Sequence, residues 1–136
     1  MERKSQAAIE YLIIIGFVTF AIMGILVVAY FYSNTARDRI RLNQLEIFTS
    51  KIINSAEAVY YSGEPSKATF AIYIPEGVHE LTIPDIEPYI LIKMSTGNGE
   101  LVRVFDSNVA LNGSITASPG VKTVVIEAKQ NYVQIN

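Results

Sequence analysis

Residues 11–32, Tyr11-Leu12-Ile13-Ile14-Ile15-Gly16-Phe17-Val18-Thr19-Phe20-Ala21-Ile22-Met23-Gly24-Ile25-Leu26-Val27-Val28-Ala29-Tyr30-Phe31-Tyr32, decide the fold. No charged side chain occurs between Tyr11 and Ala36, and Thr19 is the only strongly polar residue before Ser33. A helix of this length rises about 33 Å, the thickness of a bilayer's hydrocarbon core. Tyr11 at one end and Tyr30, Phe31 and Tyr32 at the other stand where amphipathic rings favour the two interfaces. A buried core helix is the competing reading, but so short a chain has too little other material to cover a helix that is apolar all round. A secretory signal is the second competitor. Its apolar region would run only about 7 to 15 residues and end in small residues; Val27-Val28-Ala29-Tyr30-Phe31-Tyr32 supplies no such end.

The rest of the composition narrows the function classes. The chain has 136 residues with 11 basic and 13 acidic side chains, so it has room for one ordinary domain and lacks the charge of a nucleic-acid binder. Zero cysteine removes disulfide scaffolds, thiolate zinc sites and cysteine nucleophiles. The mean hydropathy of +0.28 is high, and residues 11–32 account for most of it. Arg3 and Lys4 precede the apolar run, while Arg37, Arg39 and Arg41 follow it. The short basic leader predicts a cytoplasmic N-terminus and export of the bulk of the chain, with the later arginines weakening the contrast.

Glu10 sits between Ile9 and Tyr11, where an ionised carboxylate is costly unless it is shallow or paired. The segment Arg3-Lys4-Ser5-Gln6-Ala7-Ala8-Ile9-Glu10-Tyr11-Leu12-Ile13-Ile14-Ile15-Gly16 resembles the class III signal peptides of archaeal type IV prepilins. In that family a basic leader ends in a small residue, cleavage falls before a glutamine, and a glutamate stands fifth in the mature chain. The resemblance makes Ser5 the last leader residue, Gln6 the new N-terminus and Glu10 the fifth mature residue. Ala8 replaces the family's serine and Ile14 its leucine. It covers about the first 30 residues strongly and the remainder only in general architecture.

The register has a physical logic of its own. A cut after Ser5 would expose an amine on Gln6, one helical turn and roughly 6 Å from Glu10. In a polymer, the Glu10 carboxylate of one subunit would meet the Gln6 amine of a neighbour inside an apolar core, where an unpaired charge costs several kcal/mol. The plainer role for Glu10 is favourable placement near a helix N-terminus, and the two are compatible.

Helical periodicity continues past the apolar run. Between residues 37 and 61, Ile40, Leu45, Phe48, Ile52, Ala56 and Val59 recur at three and four apart from one gap of five. Ser33-Asn34-Thr35 softens the junction, and no proline precedes Pro65, so one helix over residues 6–61 is expected, ended by Gly63 and Pro65. It would be roughly 80 Å long and would need partners in other subunits. Gly16 and Gly24, eight residues apart, miss the GxxxG spacing and permit either close helix approach or local bending.

Residues 67–136 read as strands and turns. Strands are expected at 70–74, 80–83, 89–94, 101–105, 121–128 and 132–135, with Thr96-Gly97-Asn98-Gly99 as a hairpin turn. The expected unit is a five- to seven-stranded antiparallel sheet on the amphipathic helix half, small enough to need that half for its core.

No motif carries catalysis. His79-Glu80 is followed by Leu81, Thr82 and Ile83, so HExxH is absent. Glu76, Glu80, Asp85 and Glu87 crowd two turns without calcium-loop spacing. Gly97 and Gly99 lack a third glycine and a following helix. Asn112-Gly113-Ser114 is the only N-x-S/T sequon and reads as a solvent-exposed turn open to glycosylation, or simply as an Asn-Gly turn.

The expectation is therefore an α+β protein with three parts: a leader at residues 1–5, a long helix at 6–61 whose residues 11–32 are transmembrane and then filament core, and an exported antiparallel β domain at 67–136. The resemblance implies a structural pilus subunit, with no catalytic residues, cofactor or metal. It further implies cleavage at Ser5 and Gln6, assembly through Gln6 and Glu10, and a transmembrane and then filament-core surface of Tyr11, Leu12, Ile13, Ile14, Ile15, Gly16, Phe20, Gly24 and Leu26. Its partners are identical or homologous pilin subunits, the prepilin peptidase and assembly machinery, and the membrane before assembly, with no nucleic acid. Archaellins share the leader type, but the short β domain favours a pilin. The rival is a non-polymerising single-span surface protein whose β domain binds a ligand or partner.

Overall fold

The computed structural model describes residues 2–97 and 99–136, with side chains from Gln6 onward in the first helix. That helix, α1 (Glu2–Ser62), precedes six strands: β1 (Lys67–Ile74), β2 (Val78–Thr82), β3 (Glu87–Thr96), β4 (Gly99–Gly113), β5 (Gly120–Ala128) and β6 (Val133–Ile135). The chain divides into two compact units, one ending at Arg37 and the other Asp38–Asn136. The α+β class with a long N-terminal helix is as expected. The helix stops where the Gly63-Pro65 signal placed its end. Gly63 takes the left-handed conformation (φ 77°), and its N–H donates to the Tyr60 carbonyl at 3.0 Å.

In the first unit every described side chain from Gln6 to Arg37 is exposed. In the second, the helix lays Leu45, Phe48, Thr49, Ile52, Ile53, Ala56 and Val59 against the sheet. Thr49 is the one buried polar residue among them, and its hydroxyl donates to the Leu45 carbonyl at 2.8 Å. Ile40, expected on this stripe, is instead 57% exposed. The five-residue step from Ile40 to Leu45 turns about 140° around the helix, which takes Ile40 off the face. Leu42, three residues before Leu45, fills that place and is partly buried.

The strand order is β1-β5-β6-β4-β3-β2. Inward residues alternate with outward ones: Ile90, Ile92 and Met94 on β3, Val124, Ile126 and Ala128 on β5, Val133 and Ile135 on β6. The sheet is mixed, correcting the antiparallel expectation, because β6 runs parallel to β4 while pairing antiparallel with β5. β4 and β5 run in opposite directions, so a strand inserted between them must be parallel to one. The Lys129 N–H to Tyr132 carbonyl bond (2.9 Å) closes the turn that folds β6 back on β5. Among the described residues, β6 is the only ladder joining β1 and β5 to the other three strands.

β4 is longer than expected. It pairs with β3 from Thr96↔Gly99 to Tyr89↔Asp106, and then the register jumps to Glu87↔Leu111. The residues between bulge from the ladder, and there Asn108 donates its N–H (3.1 Å) and its side-chain amide (2.9 Å) to Glu57 Oε1 on α1. Beyond the bulge, Leu111, Asn112 and Gly113 pair with β6. Gly113 has φ 139°, and a Cβ there would overlap the Ile135 carbonyl oxygen and lie 2.8 Å from its carbon. Only glycine lets the two backbones come this close.

Candidate functional site

Residues 6–32 of α1 form the candidate site. One segment of the helix is long and apolar enough to cross a membrane, and none of it is buried. Tyr11, Leu12, Ile13, Ile14 and Ile15 follow at about 100° steps and so cover the whole circumference. Phe20 and Leu26, at 76% and 62% exposure, extend this apolar surface. In water each such side chain forgoes about 1.5–3 kcal/mol relative to burial. Summed along the segment the deficit is on the order of tens of kcal/mol, beyond the ~5–15 kcal/mol that stabilises a typical domain. The segment is therefore suited to an apolar surrounding, into which its transfer is favourable.

Gln6 and Glu10 lie one turn apart at the start of this segment, both exposed. No hydrogen bond or ion pair to Glu10 occurs among the described side chains. Ser5 lies within the span of α1, with its side chain outside the described residues. Gly16 and Gly24 each have open space where a side chain would stand, so neither serves packing within this chain. Ala21, Gly24, Ile25, Val28 and Ala29 form a shallow strip where small side chains bring the helix surface close to its backbone.

The other singled-out residues belong to the second unit. Asn112 is half-buried on paired β4 opposite Gln134, which corrects its placement in an exposed turn. The strand expected at 101–105 continues instead to Gly113, and within its bulge Asn108 donates to Glu57 on α1. Asn98 of the β3–β4 turn lies outside the described residues. His79 is exposed on β2. Of the acidic residues, Glu76 meets Arg41 at 3.3 Å and Glu80 meets Lys93 at 2.7 Å. Lys93, helped by the Thr82 hydroxyl, holds the Glu80 carboxyl below its ordinary value, and Glu80 raises Lys93 in return. Lys129 and Glu127, 2.9 Å apart, shift each other in the same senses. Among the described residues, no three His, Asp or Glu side chains converge on a common point.

Sequence reasoning missed the polar ties that seat the second unit's helix on its sheet. Asp38 Oδ2 accepts the Gly97 N–H at 2.9 Å, Glu57 takes Asn108, and Lys51 donates to the Ala71 carbonyl at 3.1 Å while standing 5.0 Å over the Phe70 ring. Charged residues flanking an apolar stripe were the available signal. Their partners lie 20 to 59 residues away and carry no local pattern. No family model, curated protein or solved structure matches the chain.

Proposed function

We propose that this chain is the precursor of a structural subunit of an archaeal type IV pilus-like surface filament. The uncovered apolar helix, with Gln6 and Glu10 at its start, is the observation that supports this reading. A surface apolar on all sides is served by lipid before assembly and by identical helices afterwards. In the filament core each Glu10 would pair with the Gln6 amine that a peptidase frees by cutting after Ser5, fixing the stagger between subunits. The β domains would then lie outside and carry adhesion. On this reading the partners are sister subunits, a prepilin peptidase and an assembly machine, and the chain passes from the membrane to an extracellular filament.

Mass spectrometry of cell-surface material, with electron microscopy of the same fraction, tests the reading. The expected product begins at Gln6 and forms fibres of uniform diameter. An intact leader in the surface-exposed product overturns the proposal in favour of a single-span surface protein. Glu10→Ala is expected to leave leader removal intact while reducing filaments severely, since an unpaired buried amine costs several kcal/mol. Normal piliation in that variant would reduce Glu10 to a helix-start residue.

A further inference from the structure

We propose that the open edge of β4 takes β1 of a second copy as an added antiparallel strand, joining β domains head to tail. The two-residue turn makes Thr96 and Gly99 a hydrogen-bonded pair. Alternation from that pair points the N–H and C=O of Leu101, Arg103 and Phe105 toward β3. Those of Glu100, Val102, Val104 and Asp106 then point away. On that side β4 meets β6 only at Leu111–Gly113, so among the described residues the first half of β4 has no strand beside it. The side chains of Val102 and Val104 lie on the sheet face turned away from α1, where they are 51% and 54% exposed and available to a neighbouring strand's side chains. A row of unpaired strand N–H and C=O groups is what soluble proteins ordinarily cover or blunt.

The other edges differ. β2 has five residues and a register shift between Val78 and Glu80. β1 is longer. Its Ser66 carbonyl accepts from Ala128 on β5, so by alternation Lys67, Thr69, Ala71 and Tyr73 turn their backbone groups outward, in agreement with the Lys51 bond to the Ala71 carbonyl.

Charge favours β1 over the β4–β4 pairing that overlaps the whole open stretch. Two β4 edges related by a two-fold through Arg103 would set Glu100 against Asp106, a repulsive pair. Against β1, the antiparallel register that places Lys67 opposite Asp106 also places Thr69 opposite Val104, Ala71 opposite Val102 and Tyr73 opposite Glu100. Asp106 makes no ion pair among the described residues, and Lys67, which faces Glu127 across β1–β5 and helps hold its carboxyl below the ordinary value, makes no direct contact with it and is free to reach a second carboxylate. Lys51 swings aside from Ala71 as the strand docks and so guards the edge in the free subunit. Because donor and acceptor edges are different surfaces, each copy offers both and the contact can repeat head to tail; a rotation that does not close the series gives the open polymer a filament needs. This extends the filament reading, although the edge contact is chemically separate from the apolar helix.

The test uses full-length chain in native surface material and in detergent. The chain has no cysteine, so Thr69→Cys with Val104→Cys, treated with a short thiol cross-linker, is expected to give a ladder of covalent multimers. Thr69→Cys with Glu100→Cys, displaced about 14 Å along the strand, is expected to give none. Lys67→Glu should lower the cross-linked fraction about 2- to 5-fold, and adding Asp106→Lys should restore it. Fibres without the Thr69–Val104 ladder would overturn the edge pairing and leave the filament reading standing. A ladder without fibres would do the reverse. Equal cross-linking in both cysteine pairs would show random collision and also overturn the pairing.

Discussion

Gly113→Ala places a methyl group where β4 and β6 meet. Holding a residue other than glycine at φ 139° costs about 1–3 kcal/mol. The new Cβ also overlaps the Ile135 main-chain oxygen, which has no rotamer to change. Relief requires β6 to move from β4, weakening the bonds around Leu111↔Val133 and Gly113↔Ile135 at about 1 kcal/mol each. The total is about 3–5 kcal/mol. At about 4–8 °C per kcal/mol for a domain near 100 residues, the melting temperature should fall by about 12–40 °C. Calorimetry of the full chain in detergent micelles measures the shift, and hydrogen exchange should show lost protection at Leu111, Asn112 and Gly113. Asn112→Ala, which also destroys the sequon, should shift the transition by only a few tenths of a kcal/mol. A Gly113→Ala transition within about 2 °C of the parent, with protection retained, would refute the close-approach argument.

Glu57→Ala removes both bonds to Asn108 and should destabilise by about 1 kcal/mol, read as a lower denaturation midpoint with unchanged slope. Ile86 holds a β-branched, half-exposed side chain at φ 56°, so Ile86→Asn should stabilise by about 1 kcal/mol, visible as a raised midpoint. The Glu80 carboxyl is held below its ordinary 4.5, so its contribution is complete above that value and is lost as pH falls through the lowered one. Lys93, raised above 10.5, loses its contribution only as pH rises through that higher value. Stability of the parent relative to Glu80→Gln should therefore be flat near neutrality and shrink at both extremes, as followed by denaturant titration across pH.

How legible the fold was depends on the range of the forces involved. The apolar span, the helix stop at Gly63 and the β3–β4 hairpin rest on neighbours in sequence, and all three lie where the residues placed them. The parallel β4–β6 pairing joins residues about 20 apart and leaves no local trace, since Val133–Ile135 reads the same in either direction. Ile40 misled because a five-residue gap was counted as a step along one face. Asn112-Gly113 misled for a better reason: glycine there answers to a backbone across the sheet rather than to a turn. The candidate site was legible as composition, because an apolar helix with one carboxylate at its start needs no tertiary partner to be recognised. The ties at Asp38, Lys51 and Glu57 were not, because each partner is fixed only once the sheet has formed.

The keystone position of β6 bears on how the domain comes together in time. The β2-β3-β4 meander can form from sequential hairpins, while β1 must wait for β5, and although α1 packs on both groups no strand ladder joins them until β6 has been made. Three residues thus gate the closing of a sheet whose remaining strands precede them in the chain. Folding should show a late cooperative step of high contact order, with both half-sheets exposed to misassociation beforehand. Once closed, the halves share one short ladder within the sheet and the α1 stripe across its face, so loosening β6 should part the sheet between β5 and β4 rather than fray it strand by strand.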